Sequence, residues 1–181
     1  PNDAKHPTQG DDWIKRVNGY MDELYSAMGI QGSIASGGKG TIGVYTSTKN
    51  LKYNLYLQGK DAPWANEDYG NSHSMAKAGC GPTAAAIIAS AYNSNITPST
   101  VRHSIVSSLG LGNHSSATWI QSTLKKMLPN VKTEVATFNE EKIKKCLKNS
   151  GQVWFVVQNC KYTSGAHCMA LIDYKESGMV Y

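Results

Sequence analysis

Apolar residues recur every three or four positions in several separate stretches of the chain, a spacing that predicts amphipathic helices. Asp, Asn, Ser or Thr precedes most of these stretches and can accept hydrogen bonds from the first N–H groups of a helix. The predicted helices run over residues 11–29, from Pro82 to about Tyr92, from Pro98 after the capping Thr97, from Ser115 or Ser116 to Pro129, and from Asn139 to Leu147.

Other stretches have the pattern of strands. Tyr53–Leu57 and Val131–Thr137 alternate between apolar and polar residues. Val153–Val157 and Cys168–Ile172 are nearly continuous apolar runs, and the loop Asn159–Ala166 between them predicts a β-hairpin. Because helices dominate the first half and strands the end, we expect an α+β fold with helices packed on an antiparallel sheet.

The first part of the chain differs in amino-acid composition from the rest. The predicted helix at 11–29 is followed by a Gly- and Ser-rich stretch up to Gly43, which is typical of a flexible linker. We therefore expect residues 1–43 to be an appendage or the tail of a preceding domain, and residues 44–181 to be the main domain. The chain is expected to be a piece of a longer protein, tethered to other domains.

The net charge narrows the class of partner. With 18 basic and 13 acidic residues, the chain carries +5 and has a pI near 9.0, which favours an anionic partner. The densest basic cluster, residues 142–148, lies on a predicted amphipathic helix and is interpreted as a solvated helix face rather than a nucleic-acid site. No apolar run reaches the roughly 18 residues that a membrane-spanning helix needs.

The four cysteines do not form the pattern of a small disulfide scaffold or of a structural zinc site. If Cys80 is a free thiol, at most one disulfide can form among Cys146, Cys160 and Cys168. Cysteine usage alone does not decide the redox compartment.

Cys80 has the most informative surroundings in the sequence. Gly79 and Gly81 flank it, Pro82 suits the first position of the following helix, and an Ala-rich segment continues that helix. The partial positive charge of a helix N-terminus favours thiolate over thiol, and free N–H groups there can bind an oxyanion. The alternative is a small buried apolar residue, and the combined pattern favours a nucleophile.

A thiol nucleophile needs a base, which can lie far away in sequence. Among the five histidines, His167 differs because it follows the small residues 164–166 and opens the apolar strand Cys168–Ile172. A histidine there can point from a sheet toward a helix packed across it. Alone it would more often be a structural histidine, but together with Cys80 it predicts a Cys/His pair.

These motifs resemble the bacteriocin-leader-processing-like (double-glycine peptidase-like) branch of the papain-type cysteine peptidases, which is common in bacterial secreted and surface proteins. The resemblance covers about Val44 to the end. Its motifs are Gly79–Thr83 before the Ala-rich helix, Gly165–His167, Ile172–Tyr174, Tyr56–Ala65, Asp68–Gly70 and Ile96–Pro98.

The resemblance implies a papain-like fold and a role for Gln58, whose side-chain N–H would donate to the oxyanion. It also implies an Asn or Asp on the strand after His167 that orients the imidazole. The place for that residue lies past Tyr181, where this chain stops, and Asp173 is interpreted as part of a strand end. Trp64, Tyr69 and His73 are expected to line the cleft.

The sequence therefore predicts a secreted or cell-surface cysteine peptidase that needs no metal or organic cofactor. Its substrate would be a peptide, a protein or the stem peptide of peptidoglycan. Two other interpretations remain open: a catalytically inactive papain-like binding module, and a metal-binding regulator that uses Cys160, His167 and Cys168.

Overall fold

The computed structural model describes residues 40–112, 116–160, 163–175 and 178–180, which belong to one compact unit. Its described helices are α1 (Met75–Ala78), α2 (Cys80–Ser90), α3 (Pro98–Leu109), α4 (Ala117–Met127) and α5 (Glu140–Lys148). Its described strands are β1 (Thr41–Thr46), β2 (Lys52–Tyr56), β3 (Asp68–Gly70), β4 (His73–Ser74), β5 (Val153–Cys160), β6 (Thr163–Leu171), β7 (Asp173–Lys175) and β8 (Gly178–Val180). The helix predicted at 11–29 lies outside the described residues, as does the Gly- and Ser-rich stretch up to residue 39.

Three helices begin at the caps that the sequence predicts. Thr97 and Thr100 form a reciprocal capping box at the start of α3, with N···O distances of 3.3 and 2.8 Å. Ser116 at the start of α4 and Asn139 at the start of α5 each accept a hydrogen bond from the N–H three residues further on. These side chains bind N–H groups that have no partner inside the helix, which confirms the three predicted starts.

Helix α2 is the central element of the fold. Its side chains at Ala85, Ala86 and Ala89 are fully buried. It contacts α3 and α4 as well as strands β2, β5 and β6. Small side chains allow neighbouring elements to approach the helix backbone closely, so an Ala-rich sequence suits a helix that is packed on several sides.

The described strands pair into four two-stranded antiparallel ladders: β1–β2, β3–β4, β5–β6 and β7–β8. The predicted α+β class and its antiparallel pairing are confirmed, although the sheet is divided into small pieces. The predicted hairpin is the longest ladder, running from Val153 opposite Leu171 to Cys160 opposite Thr163. Much of the predicted loop Asn159–Ala166 is therefore strand.

The prediction of a strand over Val131–Thr137 is wrong. The segment forms no regular element, and most of its side chains are exposed, including about half of Val135. Alternating residues stabilise a strand when one face is buried and the backbone pairs with a neighbour. Here the segment leads from α4 to α5, and within the described part of the chain its backbone belongs to no strand ladder.

Candidate active site

Cys80 is the first residue of helix α2, two positions earlier than the sequence predicted. Pro82 therefore occupies the third helical position rather than the first. This is tolerated because N–H groups in the first turn have no partner inside the helix, so the missing one of Pro82 is not needed. The half-buried sulfur of Cys80 consequently lies at the positive end of the helix dipole.

Strand β6 brings two residues to this sulfur. His167 lies opposite Val157 in the hairpin ladder and Cys168 opposite Val156, and helix α2 packs against the same strand. The side chain of His167 and both the side chain and the backbone N–H of Cys168 lie near enough to Cys80 to lower the pKa of its thiol. The structure thus brings the two residues of the predicted Cys/His pair close together.

These contacts shift the ionisation of Cys80 strongly. The hydrogen bond from the Cys168 thiol has the largest effect. The His167 hydrogen bond, the Cys168 backbone N–H and the charge of His167 act in the same direction. Burial opposes them by penalising the charged form, yet the pKa of Cys80 is lowered to about 4. The arrangement therefore holds Cys80 as a thiolate at neutral pH.

Cys168 is a site residue that sequence reasoning missed in this position. Its side chain is buried, with 6% of its surface exposed. Side chains alternate between the two faces of a strand, so the sequence suggests that only one of two neighbours can reach a given partner. The sequence did hold one signal for Cys168, which is that it directly follows His167. A backbone N–H at that position can act on Cys80 whichever face of the strand the side chain takes, and the backbone of Cys168 does lower the pKa of Cys80.

Trp154 is a second residue that the sequence did not single out. It lies on β5 opposite Ala170, and its indole N–H donates to the carbonyl oxygen of Gly81 at 3.2 Å. This hydrogen bond joins the first turn of α2 to the hairpin that carries His167. It therefore helps to fix the sulfur relative to the imidazole.

Gln58 contacts the segment directly before the candidate nucleophile. Its side-chain N–H donates to the carbonyl oxygen of Ala76 in α1 at 3.2 Å. Helix α1 ends at Ala78, one residue before the Gly79 cap of α2. An amide nitrogen has two N–H donors, so this contact uses one and orients the other.

The three residues expected to line the cleft lie in different environments. Trp64 and Tyr69 belong to the buried core, and the Trp64 indole N–H donates to the carbonyl oxygen of Leu57 at 2.9 Å. The expectation that these two side chains line an open cleft is therefore wrong, since their large apolar surface is used for packing. His73 is half-buried in β4.

Asp173 is the first residue of β7 rather than the end of the strand that carries His167, which stops at Leu171. Its buried carboxylate accepts hydrogen bonds of 2.7 Å from the Tyr45 hydroxyl, the Thr48 N–H and the Thr48 hydroxyl, and one of 2.9 Å from the Tyr174 N–H. Burial raises the pKa of Asp173, but the hydrogen bonds from Thr48 and Tyr45 outweigh it and hold the pKa below its ordinary value of 3.8. The carboxylate thus ties the β1–β2 turn to β7.

We expect Asp173→Asn to lower the free energy of unfolding at pH 7 by about 2 kcal/mol, because a neutral amide accepts fewer and weaker hydrogen bonds. The carboxylate has a depressed pKa in the folded state, so its stabilisation is present above the ordinary pKa and is lost as pH falls below about 4. Urea unfolding at pH 7 and pH 3 measures both effects. Exposed Asp61→Asn is the control. Equal acid sensitivity in wild type and Asp173→Asn would contradict the assignment.

The remaining sequence expectations concern metals, disulfides and membranes. Among the described residues, no three or more His, Cys, Asp or Glu side chains are arranged to hold a metal ion, and no helix has the length and apolarity to cross a membrane. Cys80, Cys146 and Cys168 are not joined in disulfides. The sequence left open whether a disulfide joins two of Cys146, Cys160 and Cys168, and in this structure neither Cys146 nor Cys168 is in one. The side chain of Cys160 lies outside the described part.

Comparison with known proteins gave no match: no protein-family model, curated protein or solved structure is similar to this chain at a significant level.

Proposed function

We propose that this chain is a papain-like cysteine peptidase in which Cys80 is the nucleophile and His167 the general acid and base. The observation that carries the proposal is the position of Cys80 at the N-terminus of a helix that packs against the strand bearing His167, with the pKa of Cys80 lowered to about 4. The packing of helix α2 against the β5–β6 hairpin supports a papain-like arrangement of the two residues.

In the proposed reaction the Cys80 thiolate attacks the carbonyl carbon of a peptide or amide bond. The protonated imidazole of His167 then gives its proton to the leaving amine, and the acyl group remains on sulfur as a thioester. Neutral His167 next takes a proton from water, which hydrolyses the thioester and restores the thiolate. Side chains and water are sufficient for every step.

The oxyanion of each tetrahedral intermediate needs hydrogen-bond donors. Helix geometry leaves the N–H groups of Cys80 and Gly81 without acceptors inside the helix. In the proposal, these N–H groups and the second N–H of Gln58 stabilise the oxyanion. Donors placed in advance are effective because they need no reorganisation during the reaction.

The proposed substrate is a peptide, a protein or the stem peptide of peptidoglycan, and the proposed location is outside the bacterial cell or on its surface. The family resemblance supports the location. The net charge of +5 is compatible with the anionic polymers of a cell wall. The enzyme would act as one module of a larger chain.

The pH profile of Cys80 alkylation tests the proposed nucleophile. We expect iodoacetamide labelling, followed by mass mapping, to be nearly independent of pH above about pH 5, whereas an ordinary thiol gains about tenfold per pH unit up to about 8.5. The pH dependence of labelling, and not its absolute rate, identifies the nucleophile, because a thiolate of low pKa is also intrinsically less reactive, by roughly 100-fold here. Cys146, whose pKa burial raises, is the internal control.

Hydrolysis is tested by incubating purified peptidoglycan sacculi, and separately a denatured protein, with wild type and Cys80→Ser, and measuring newly released amino groups. Release by wild type alone supports the peptidase. A flat alkylation profile without release from either substrate, combined with binding of both variants to sacculi, would favour the inactive binding module. An alkylation profile typical of an ordinary thiol would contradict the proposed nucleophile.

Gln58→Ala tests the oxyanion donor. We expect hydrolysis to fall by about 10²- to 10³-fold, with kcat affected more than KM, because the donor acts mainly in the transition state. Alkylation of Cys80 by iodoacetamide forms no oxyanion and should change less than about twofold. An equal loss in both reactions would indicate that Gln58 positions the α1–α2 segment through Ala76 instead.

A further inference from the structure

The hydroxyl of Thr83 lies one helical turn after Cys80 and takes no part in the reaction proposed for that cysteine. Only 6% of the surface of Thr83 is exposed, and its Oγ1 atom has no hydrogen-bond partner among the residues that the structure describes. Buried hydroxyl groups are nearly always hydrogen-bonded, because one without a partner has lost its water and gained nothing in return. Thr83 therefore holds a donor that folding alone does not use.

The first turn of helix α2 places this hydroxyl beside the candidate nucleophile. The N–H of Thr83 donates to the carbonyl oxygen of Gly79 at 3.0 Å, which closes the turn around Cys80. Residues three apart are neighbours on a helix surface, with about 5–6 Å between their Cβ atoms. Side chains also lean toward the start of their helix, so Thr83 covers the turn that holds Cys80. The unpartnered hydroxyl thus lies within one side-chain rotation of the Cys80 sulfur.

The ordinary use of a threonine hydroxyl inside a helix does not apply here. Such a hydroxyl commonly bonds to the carbonyl oxygen three or four residues earlier. For Thr83 that would be the carbonyl oxygen of Cys80 or Gly79, and Oγ1 makes neither bond. Valine has the same branched shape without the hydroxyl, so packing alone does not call for threonine at this position.

We propose that Thr83 is a positioning residue of the candidate site, whose hydroxyl turns about χ1 and donates a hydrogen bond to the Cys80 thiolate. The role rests on the proposed function, because a charged sulfur is the acceptor that draws the hydroxyl. A hydrogen bond to a charged acceptor is roughly twice as strong as one between neutral groups. A threonine in a helix has two accessible χ1 positions, so the rotation needs no movement of the backbone.

The hydroxyl supplies a contact of a different kind from those of the other neighbours of Cys80. Among the described residues, the titratable groups that act on Cys80 are His167 and Cys168, and both lie on strand β6. Thr83 approaches from helix α2 itself and is a neutral donor. It therefore orients and stabilises the thiolate and leaves the transfer of protons to His167.

The pH profile of Cys80 alkylation in Thr83→Val and Thr83→Ser tests the proposal on the whole chain. Valine removes the hydroxyl and keeps the branched shape, so we expect the labelling midpoint to rise by about one pH unit. Serine keeps the hydroxyl and is the matched control, with a midpoint within about 0.3 pH units of wild type. In urea, Thr83→Val should unfold at a concentration no lower than wild type, because it buries no unpartnered hydroxyl.

A folded Thr83→Val protein whose labelling midpoint matches wild type would overturn this inference and leave the proposed nucleophile standing. An equal rise in Thr83→Val and Thr83→Ser would also overturn it, since the shift would then follow from altered packing and not from the hydroxyl. Thr83→Ala replaces valine if that variant does not fold, and the same rise is expected. A wild-type profile typical of an ordinary thiol would overturn the proposed nucleophile together with this inference.

Discussion

Replacing His167 with alanine is expected to raise the midpoint of Cys80 alkylation by at least about one pH unit from its value near 4. The variant loses the hydrogen bond and the positive charge of the imidazole, both of which stabilise the thiolate. The contacts from Cys168 and the helix N-terminus remain, so the pKa should stay below that of an ordinary thiol. The labelling profile between pH 3 and pH 9 measures this shift.

The same substitution is expected to reduce hydrolysis at least about 10³-fold, because it removes both the acid for the leaving amine and the base for water. His103→Ala is the matched control: this histidine is 62% exposed on helix α3, with its Nε2 3.8 Å from Glu67. It should keep the wild-type profile and rate. A His167→Ala protein whose alkylation profile matches wild type would show that the imidazole does not support the Cys80 thiolate.

Local signals in the sequence predicted most helices well. Thr97, Ser116 and Asn139 bind N–H groups only three residues away, so their effect is visible in a short window of sequence. The hairpin was predicted for a related reason, since two apolar runs joined by a short segment have few ways to pair. In such elements the residues that determine the structure are the residues that form it.

Elements that depend on distant partners were predicted less well. The alternating residues of Val131–Thr137 resemble a strand, but whether a strand forms depends on a neighbour that no local pattern reveals. Trp64 and Tyr69 illustrate the same limit. Their proximity to Cys80 in sequence suggested a cleft, whereas both belong to the buried cluster that also holds Met75 and Ile105.

The sequence singled out Cys80 and His167 as the candidate pair, but it did not single out Trp154 or the position of Cys168 beside Cys80. Cys80 and His167 could be found because a helix start and a strand start each carry a local signature. The hydrogen bond from Trp154 to Gly81 and the contact of Cys168 with Cys80 depend on how α2 lies across the hairpin. That placement is set by tertiary packing, so the sequence indicated the candidate pair but not the residues around it.

Gly79→Ala is expected to disturb the candidate site by displacing the backbone directly before Cys80. A methyl group at this position would be closer than van der Waals contact to the Met75 carbonyl oxygen, 2.8 Å from its Sδ and 2.9 Å from its Cε. Met75 is fully buried, and its carbonyl accepts the Gly79 N–H, so neither group can move away easily. We expect a loss of about 3 kcal/mol in the free energy of unfolding and, because Cys80 follows directly, about 100-fold slower hydrolysis.

The dihedral angles of Gly79, φ −82° and ψ 15°, are open to alanine, so this effect would come from space rather than from backbone conformation. Gly165→Ala is the matched control, since a methyl group there meets no atom within 4 Å although it lies two residues before His167. Urea unfolding and Cys80 alkylation of both variants separate the two cases. If Gly79→Ala unfolds and reacts like Gly165→Ala, the start of helix α2 is not held by Met75, and the position of the Cys80 sulfur must depend mainly on the β5–β6 hairpin.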